Sequence, residues 1–128
     1  MLCYEFTRII RQPAERINAN MAKQLKIQDK TVSIGDTIAI TYKFKEKDKD
    51  KLQVFKGILI AIKGMGDNKM FTVRRMTKSK VGVERIFPVI SPYISKIELV
   101  KEAVNTRRAK LYFLRDRSER EIKEKLYQ

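Results

Sequence analysis

The first stretch with a regular apolar pattern is 13–26. Pro13 suits the opening turn of a helix, where its missing N–H is not needed. Ala14, Ile17, Met21 and Leu25 then recur at spacings of three, four and four, which places them on one helical face. That stripe is expected to dock on the domain's own surface, and a break is expected over Ile27–Ser33. From Ile34 the period changes to two. Ile38, Ile40, Tyr42 and Phe44 alternate with Thr37, Ala39, Thr41 and Lys43, the pattern of a half-buried strand entered through a Gly35-Asp36 turn. Lys45–Lys51 (KEKDKDK) alternates charge and is expected to form a solvated hairpin tip.

Leu52–Lys63 is apolar on both parities. It reads as a strand buried on both faces, or as one bent at Gly57 so that it serves two sheets. Gly64–Asn68 (GMGDN) carries turn chemistry. Met70–Met76 and Val81–Phe87 follow as strands around a tip at Lys78–Lys80, and Pro88 and Pro92 bracket a corner. Ile94–Val100 and Ala109–Leu114 complete a series of about six short strands with no internal repeat. Closing such a series removes exposed strand edges, so a small antiparallel barrel is expected. The chain ends in a predicted short helix over 118–128. Ser118-Glu119-Arg120-Glu121 matches a capping box, Glu119–Lys123 and Glu121–Lys125 would be supporting pairs, and Ile122 and Leu126 would face a packing surface. The fold class is therefore mainly β. A domain over 32–117 is preceded by an extension (1–31) and followed by a C-terminal helix (118–128).

Composition changes what this domain is for. Hydrophobic residues make up 43% of the 128, enough for a packed core. Lysine and arginine total 29 against 15 acidic residues, a net charge of +14. Excess of that size opposes compaction by self-repulsion and points to a polyanionic partner. A membrane surface is not expected: no apolar run approaches the roughly 18 residues a spanning helix requires. No basic helix with a bulky apolar face stands out either. Met1–Phe6 contains Glu5 and no long apolar region follows, so no secretory leader is expected. Cys3 is the single cysteine and histidine is absent. An intramolecular disulfide and zinc-finger spacing are thereby excluded, and a reducing interior fits.

The catalytic inventory is poor. Without histidine the usual general base and commonest metal ligand are missing, and the carboxylates sit mostly beside basic partners. Gly64-Met65-Gly66 resembles part of a phosphate loop but lacks its lysine and hydroxyl and leads into no predicted helix. Neither an enzymatic activity, a cofactor, a metal site nor a small-molecule substrate is expected.

The basic residues are more informative, because they fall on or beside strands. Arg74 and Arg75 end one strand, Lys78 and Lys80 form the following tip, and Arg85 lies in the next strand. Arg107, Arg108 and Lys110 precede Leu111–Leu114, and Arg115 and Arg117 follow it. Guanidinium forks grip phosphates bidentately, which suits A-form RNA read through its backbone and shape. Tyr112 and Phe113 interleave with this charge. On a strand they would alternate, Phe113 toward the core and Tyr112 either stacked on a base or packed outside.

The same residues carry a resemblance. Gly35-Asp36-Thr37, LQVFKGILIAIKGMG (52–66), FTVRR (71–75), GVERIF (82–87), SP (91–92) and RRAKLYFLRDR (107–117) are collinear, from about Val32 to Arg117, with the bacterial-type large-subunit ribosomal protein nineteen family. The resemblance implies an SH3-like β-barrel with terminal additions. It also implies a structural constituent of the ribosome, bound to large-subunit rRNA close to the subunit interface. There it would help form an intersubunit bridge with small-subunit rRNA and lie beside a neighbouring large-subunit protein, in a cytoplasmic ribosome or, alternatively, an organellar one. Carried over as RNA contacts are Arg74, Arg75, Arg85, Arg108, Lys110, Arg115 and Arg117, while Lys78, Lys80 and Arg107 rest on local charge. The chain departs from the family pattern at Lys101-Glu102-Ala103 and at the lysine-bearing tip Met76–Lys80, and residues 1–31 match poorly.

Overall fold

A computed structural model describes residues 24–104 and 106–128. Most of the expected helix over 13–26, together with Cys3, lies outside the described residues. Its last positions do not form a helix. Gln24–Ile27 is strand β1, paired antiparallel with β2 (Lys30–Ser33) in a two-stranded hairpin. The expected break is thus the return strand of this hairpin. Gln28 and Asp29 both adopt positive φ, 44° and 67°, as a two-residue primed turn requires. Leu25, Ile27 and Val32 project into the main core.

The remaining strands are β3 (Thr37–Glu46), β4 (Lys49–Lys63), β5 (Met70–Met76), β6 (Gly82–Pro88) and β7 (Ile94–Lys101). They form one antiparallel sheet in the order β6-β5-β4-β3-β7. Among the described residues the ladder does not close, and β6 and β7 remain edges, so the closed barrel expected from the strand count is not formed. The charged tip is also shorter than expected. Lys47 and Asp48 alone make the turn, with φ of 47° and 62°. The flanking charges become cross-strand partners, Lys45 opposite Asp50 and Glu46 opposite Lys49, with a Lys51–Glu46 ion pair. Opposite charges facing each other stabilise a ladder, so the alternation extends the strands.

β4 does serve two layers, but it does not turn at Gly57. A register shift against β5 lies between Leu59 and Ala61, the irregularity by which a bulge re-aims side chains. Leu59 and Phe55 enter the main core with Ile38, Ile40, Phe71, Val73 and Ile97. Ile60 and Ala61 enter a second core with Ile34, Leu111, Leu114, Ile122 and Leu126. Gly57 serves close approach instead: a Cβ there would lie 2.6 Å from the Arg74 carbonyl oxygen.

The second core explains the C-terminal segment. Ala109–Leu114, expected as a strand, holds no strand. Leu111 donates its N–H to the Ile60 carbonyl at 2.9 Å, and Tyr112–Asp116 forms a 3-10 turn. Leu111 and Leu114 are three apart, the period that brings side chains onto one side of such a turn. Tyr112 and Phe113 are both half-buried against this core and do not alternate. Helix α1 (Glu119–Tyr127) follows, and its Ile122 and Leu126 are buried as expected. Ser118 caps it by accepting from the Glu121 N–H at 3.4 Å. The ion pairs along α1 are Arg117–Glu121 and Arg120–Glu124, not Glu119–Lys123 and Glu121–Lys125, because Arg117 engages Glu121 from just before the helix.

The Gly35-Asp36 turn ties both layers together. Asp36 is buried, and its carboxylate accepts from the Ser33 N–H at 2.7 Å and the Ala103 N–H at 2.9 Å. Gly35 takes φ of 96°, a conformation other side chains rarely adopt. At the far end of α1 the Tyr127 hydroxyl donates to the Gly35 carbonyl at 3.2 Å, and burial pushes the phenol pKa up.

Leu114→Ala is expected to lower the unfolding free energy by about 2–5 kcal/mol in urea titration. Leu52→Ala, at a side chain 63% exposed on the sheet's outer surface, is expected to change it by less than about 0.5 kcal/mol.

Candidate nucleic-acid interface

Neighbouring residues on a strand point to opposite faces, and this separates Arg74 from Arg75. Arg74 turns toward the second core and is only 13% exposed in its side chain. It lies directly opposite Glu84 in the ladder and donates to that carboxylate at 3.0 Å. Gly82 leaves room for this arrangement, since a Cβ there would collide with the Arg74 guanidinium. Arg75 emerges on the other face, exposed, 4.9 Å from the centre of the Phe55 ring. Arg85 shares that face. It lies 4.6 Å from the Tyr42 ring and 5.6 Å from Phe87 and donates to the Tyr42 hydroxyl, which in turn donates to Gln53. The two cations therefore stand on a floor of core aromatics, an attraction that limits their rotamers without neutralising them. Lys78 and Lys80 are exposed on the β5–β6 tip, which Thr77 clasps through its hydroxyl and backbone to Val81.

The second group lies on the segment held by the second core. Arg107, Arg108, Lys110 and Arg117 are exposed. Arg108 stands 5.3 Å from the Phe113 ring, and Lys125 of α1 reaches the same ring at 5.4 Å. Arg115 behaves differently. Its guanidinium grips Glu84 bidentately, Nε to Oε1 and Nη2 to Oε2, both at 2.8 Å, and stacks 4.8 Å from Tyr112.

Glu84 is thus a hub that sequence reasoning passed over. It joins Arg74 of the sheet to Arg115 of the C-terminal segment, so two of the ten predicted contacts share this carboxylate, and a third, Arg117, pairs with Glu121. Hydrogen bonding from Arg115, then the nearby charges, hold the Glu84 carboxyl below the usual carboxylate range despite opposing desolvation. Lys125 belongs to the second group as well, although its spacing in the sequence pairs it with Glu121. Among the described residues no group of three or more histidine, cysteine, aspartate or glutamate side chains could hold a metal.

A carboxylate whose pKa is depressed on folding contributes stability above its unfolded value, about 4.3, and loses it as pH falls through the folded value. Glu84→Gln is therefore expected to lower stability at pH 7 by about 1–3 kcal/mol, with the gap to the unmutated chain closing below about pH 4. Urea midpoints measured for both proteins at pH 7 and pH 3 check this. A gap unchanged between the two would show that the charge on Glu84 plays no part.

The family model described as Ribosomal protein L19 matches residues 15–125, so the likeness begins earlier than Val32 and continues into α1. The chain is 52% identical over 82 residues to the large ribosomal subunit protein bL19 of Pseudothermotoga lettingae, covering 64% of this chain and 70% of that protein. It is 45% identical over 114 residues to bL19 of Chloroherpeton thalassium, covering 87% and 93%. A mainly β domain with its cations displayed on a strand hairpin and a docked C-terminal segment, the chain belongs to the ribosomal protein L19 family, a family of structural components and not of enzymes.

Proposed function

We propose that the chain is a structural constituent of the large ribosomal subunit that binds rRNA near the subunit interface and helps form an intersubunit bridge during translation. The observation that carries the reading is the display of cations. Arg75, Lys78, Lys80 and Arg85 on one hairpin, and Arg107, Arg108, Lys110 and Arg117 on the C-terminal segment, are all exposed. Several are held in place by aromatic rings rather than by acids. Cations positioned without being neutralised can release condensed counterions when they meet phosphates. Arg74 and Arg115 serve as supports tied to Glu84, with Arg115, half exposed, also able to reach a phosphate.

The partners in this reading are large-subunit rRNA, small-subunit rRNA across the interface, and a neighbouring large-subunit protein. The relatives are bacterial proteins named for the large subunit, so the compartment is the bacterial cytoplasm and the organellar alternative gains no support. An SH3-like fold remains part of this reading, supported by the five antiparallel strands and by the β1–β2 hairpin that shares their core. In this reading the chain divides into 1–31, 32–117 and 118–128, with two links across the boundaries. The hairpin Gln24–Ser33 crosses the first boundary, and α1 shares the second core with the middle segment.

Full-length protein titrated against a large-subunit rRNA fragment at increasing salt tests the reading. Arg107→Gln with Arg108→Gln is expected to make the log–log slope shallower by about 1.4–1.8, two contacts' worth. Arg74→Gln is expected to lower stability and leave the slope unchanged. A double variant with the parental slope would remove these two residues from the interface.

A further inference from the structure

Between the 107–113 segment and α1 lies a cleft of about 510 Å³, within the size range of sites for small organic ligands, roughly 300–1,000 Å³. Leu111 and Leu126 form its floor, and Phe113 forms a wall. Arg107, Arg108, Arg117 and Lys125 surround it, and among the described residues no carboxylate lines it. Among the described residues only Arg117 of these four is ion-paired, at 3.7 Å to Glu121. Arg108 and Lys125 both lie against the Phe113 ring, 5.3 and 5.4 Å from its centre.

A duplex backbone can neutralise charge on a convex surface, but it cannot fill a concave slot that has an aromatic wall. The ligand this slot fits is flat, carries π-density and is joined to phosphates. We propose that the cleft takes one unstacked nucleotide of the bound RNA, with its base against Phe113 and the Arg108 guanidinium. Its flanking phosphates meet Arg107, Arg117 and Lys125. Unpaired bases stack on aromatic rings and on guanidinium planes, and such stacking tolerates any base because each has a π-face. Among the described residues the lining offers no side-chain amide, hydroxyl or carboxylate to read a base edge, so the cleft recognises a bulged or looped nucleotide rather than a sequence. The aromatic floor beneath Arg75 and Arg85 cannot do the same. Tyr42, Phe55 and Phe87 are all buried in the main core, while Phe113 is only half-buried.

This inference rests on the rRNA-binding reading, and the test separates the two. Full-length protein is titrated with two RNA hairpins of one stem sequence. The first carries a single-nucleotide bulge of 2-aminopurine, and the second carries 2-aminopurine paired within the continuous stem. The bulged hairpin is expected to bind roughly tenfold more tightly, with a change in 2-aminopurine emission on saturation that the paired probe does not show. Phe113→Leu is expected to erase the preference, so that the bulged and continuous hairpins bind equally. Because Phe113 also packs on the second core, Arg108→Gln and Lys125→Gln, at exposed side chains, are measured beside it and are expected to reduce the preference in a folded protein. Equal affinities with unchanged emission would overturn the cleft assignment alone. Absence of salt-sensitive binding to either hairpin would overturn it together with the rRNA reading.

Discussion

At the register shift between Leu59 and Ala61, one strand is made to feed two cores. Leu59 packs under the hairpin Gln24–Ser33 with the aromatic residues of the sheet, and Ile60 and Ala61 turn the other way. What they meet there is Leu111, Leu114, Ile122 and Leu126, the apolar side of a segment that otherwise consists largely of charge. Isolated, a nine-residue helix and a 3-10 turn would be marginal. Against this surface they become a rigid mount for Arg107, Arg108, Lys110, Arg117 and Lys125. The geometry of the second cationic group therefore depends on one bulge in the middle of the sheet.

Charge of +14 has to be managed before any partner arrives, and two devices do so. Glu84 absorbs the two arginines closest to the junction between sheet and C-terminal segment, accepting from Arg74 on one side and from Arg115 on the other. This converts a repulsive contact into a staple across 31 positions of sequence. Elsewhere the cations are set over aromatic rings: Arg75 and Arg85 over the Phe55 and Tyr42 group, and Arg108 and Lys125 over Phe113. A ring orients a guanidinium without cancelling its charge. The result is a surface whose positive groups are ordered in advance, which lowers the entropy lost on docking.

Much of this order was legible along the chain, and the exceptions have physical reasons. The period-two run from Ile34 marked β3, and the double-sided Leu52–Lys63 marked a strand with two duties. Alternating charge locates the tip at Lys47-Asp48, though over too wide a span, whereas the turn at Gln28-Asp29 adopts positive φ without glycine, so the usual hairpin signal is absent. Leu111 and Leu114 looked like part of a strand, but their spacing of three belongs to the 3-10 turn that presents both to Ile60. Arginine clusters could be located by counting. Which arginines are free could not, since that depends on Glu84 lying opposite Arg74 in the ladder and within reach of the distant Arg115. Lys125 lies with the second cluster over Phe113, while Glu121 pairs with Arg117.

In the proposed function these ordered cations hold the chain in a large ribosomal subunit. Sucrose-gradient sedimentation of a lysate, at high and at low magnesium and after a moderate salt wash, with the chain detected in every fraction, tests it directly. The chain is expected to follow the whole ribosome at high magnesium and the separated large subunit at low magnesium, with little released by the wash. Recovery in the soluble fractions at the top of both gradients would contradict the claim and mark the protein as a free RNA-binding factor.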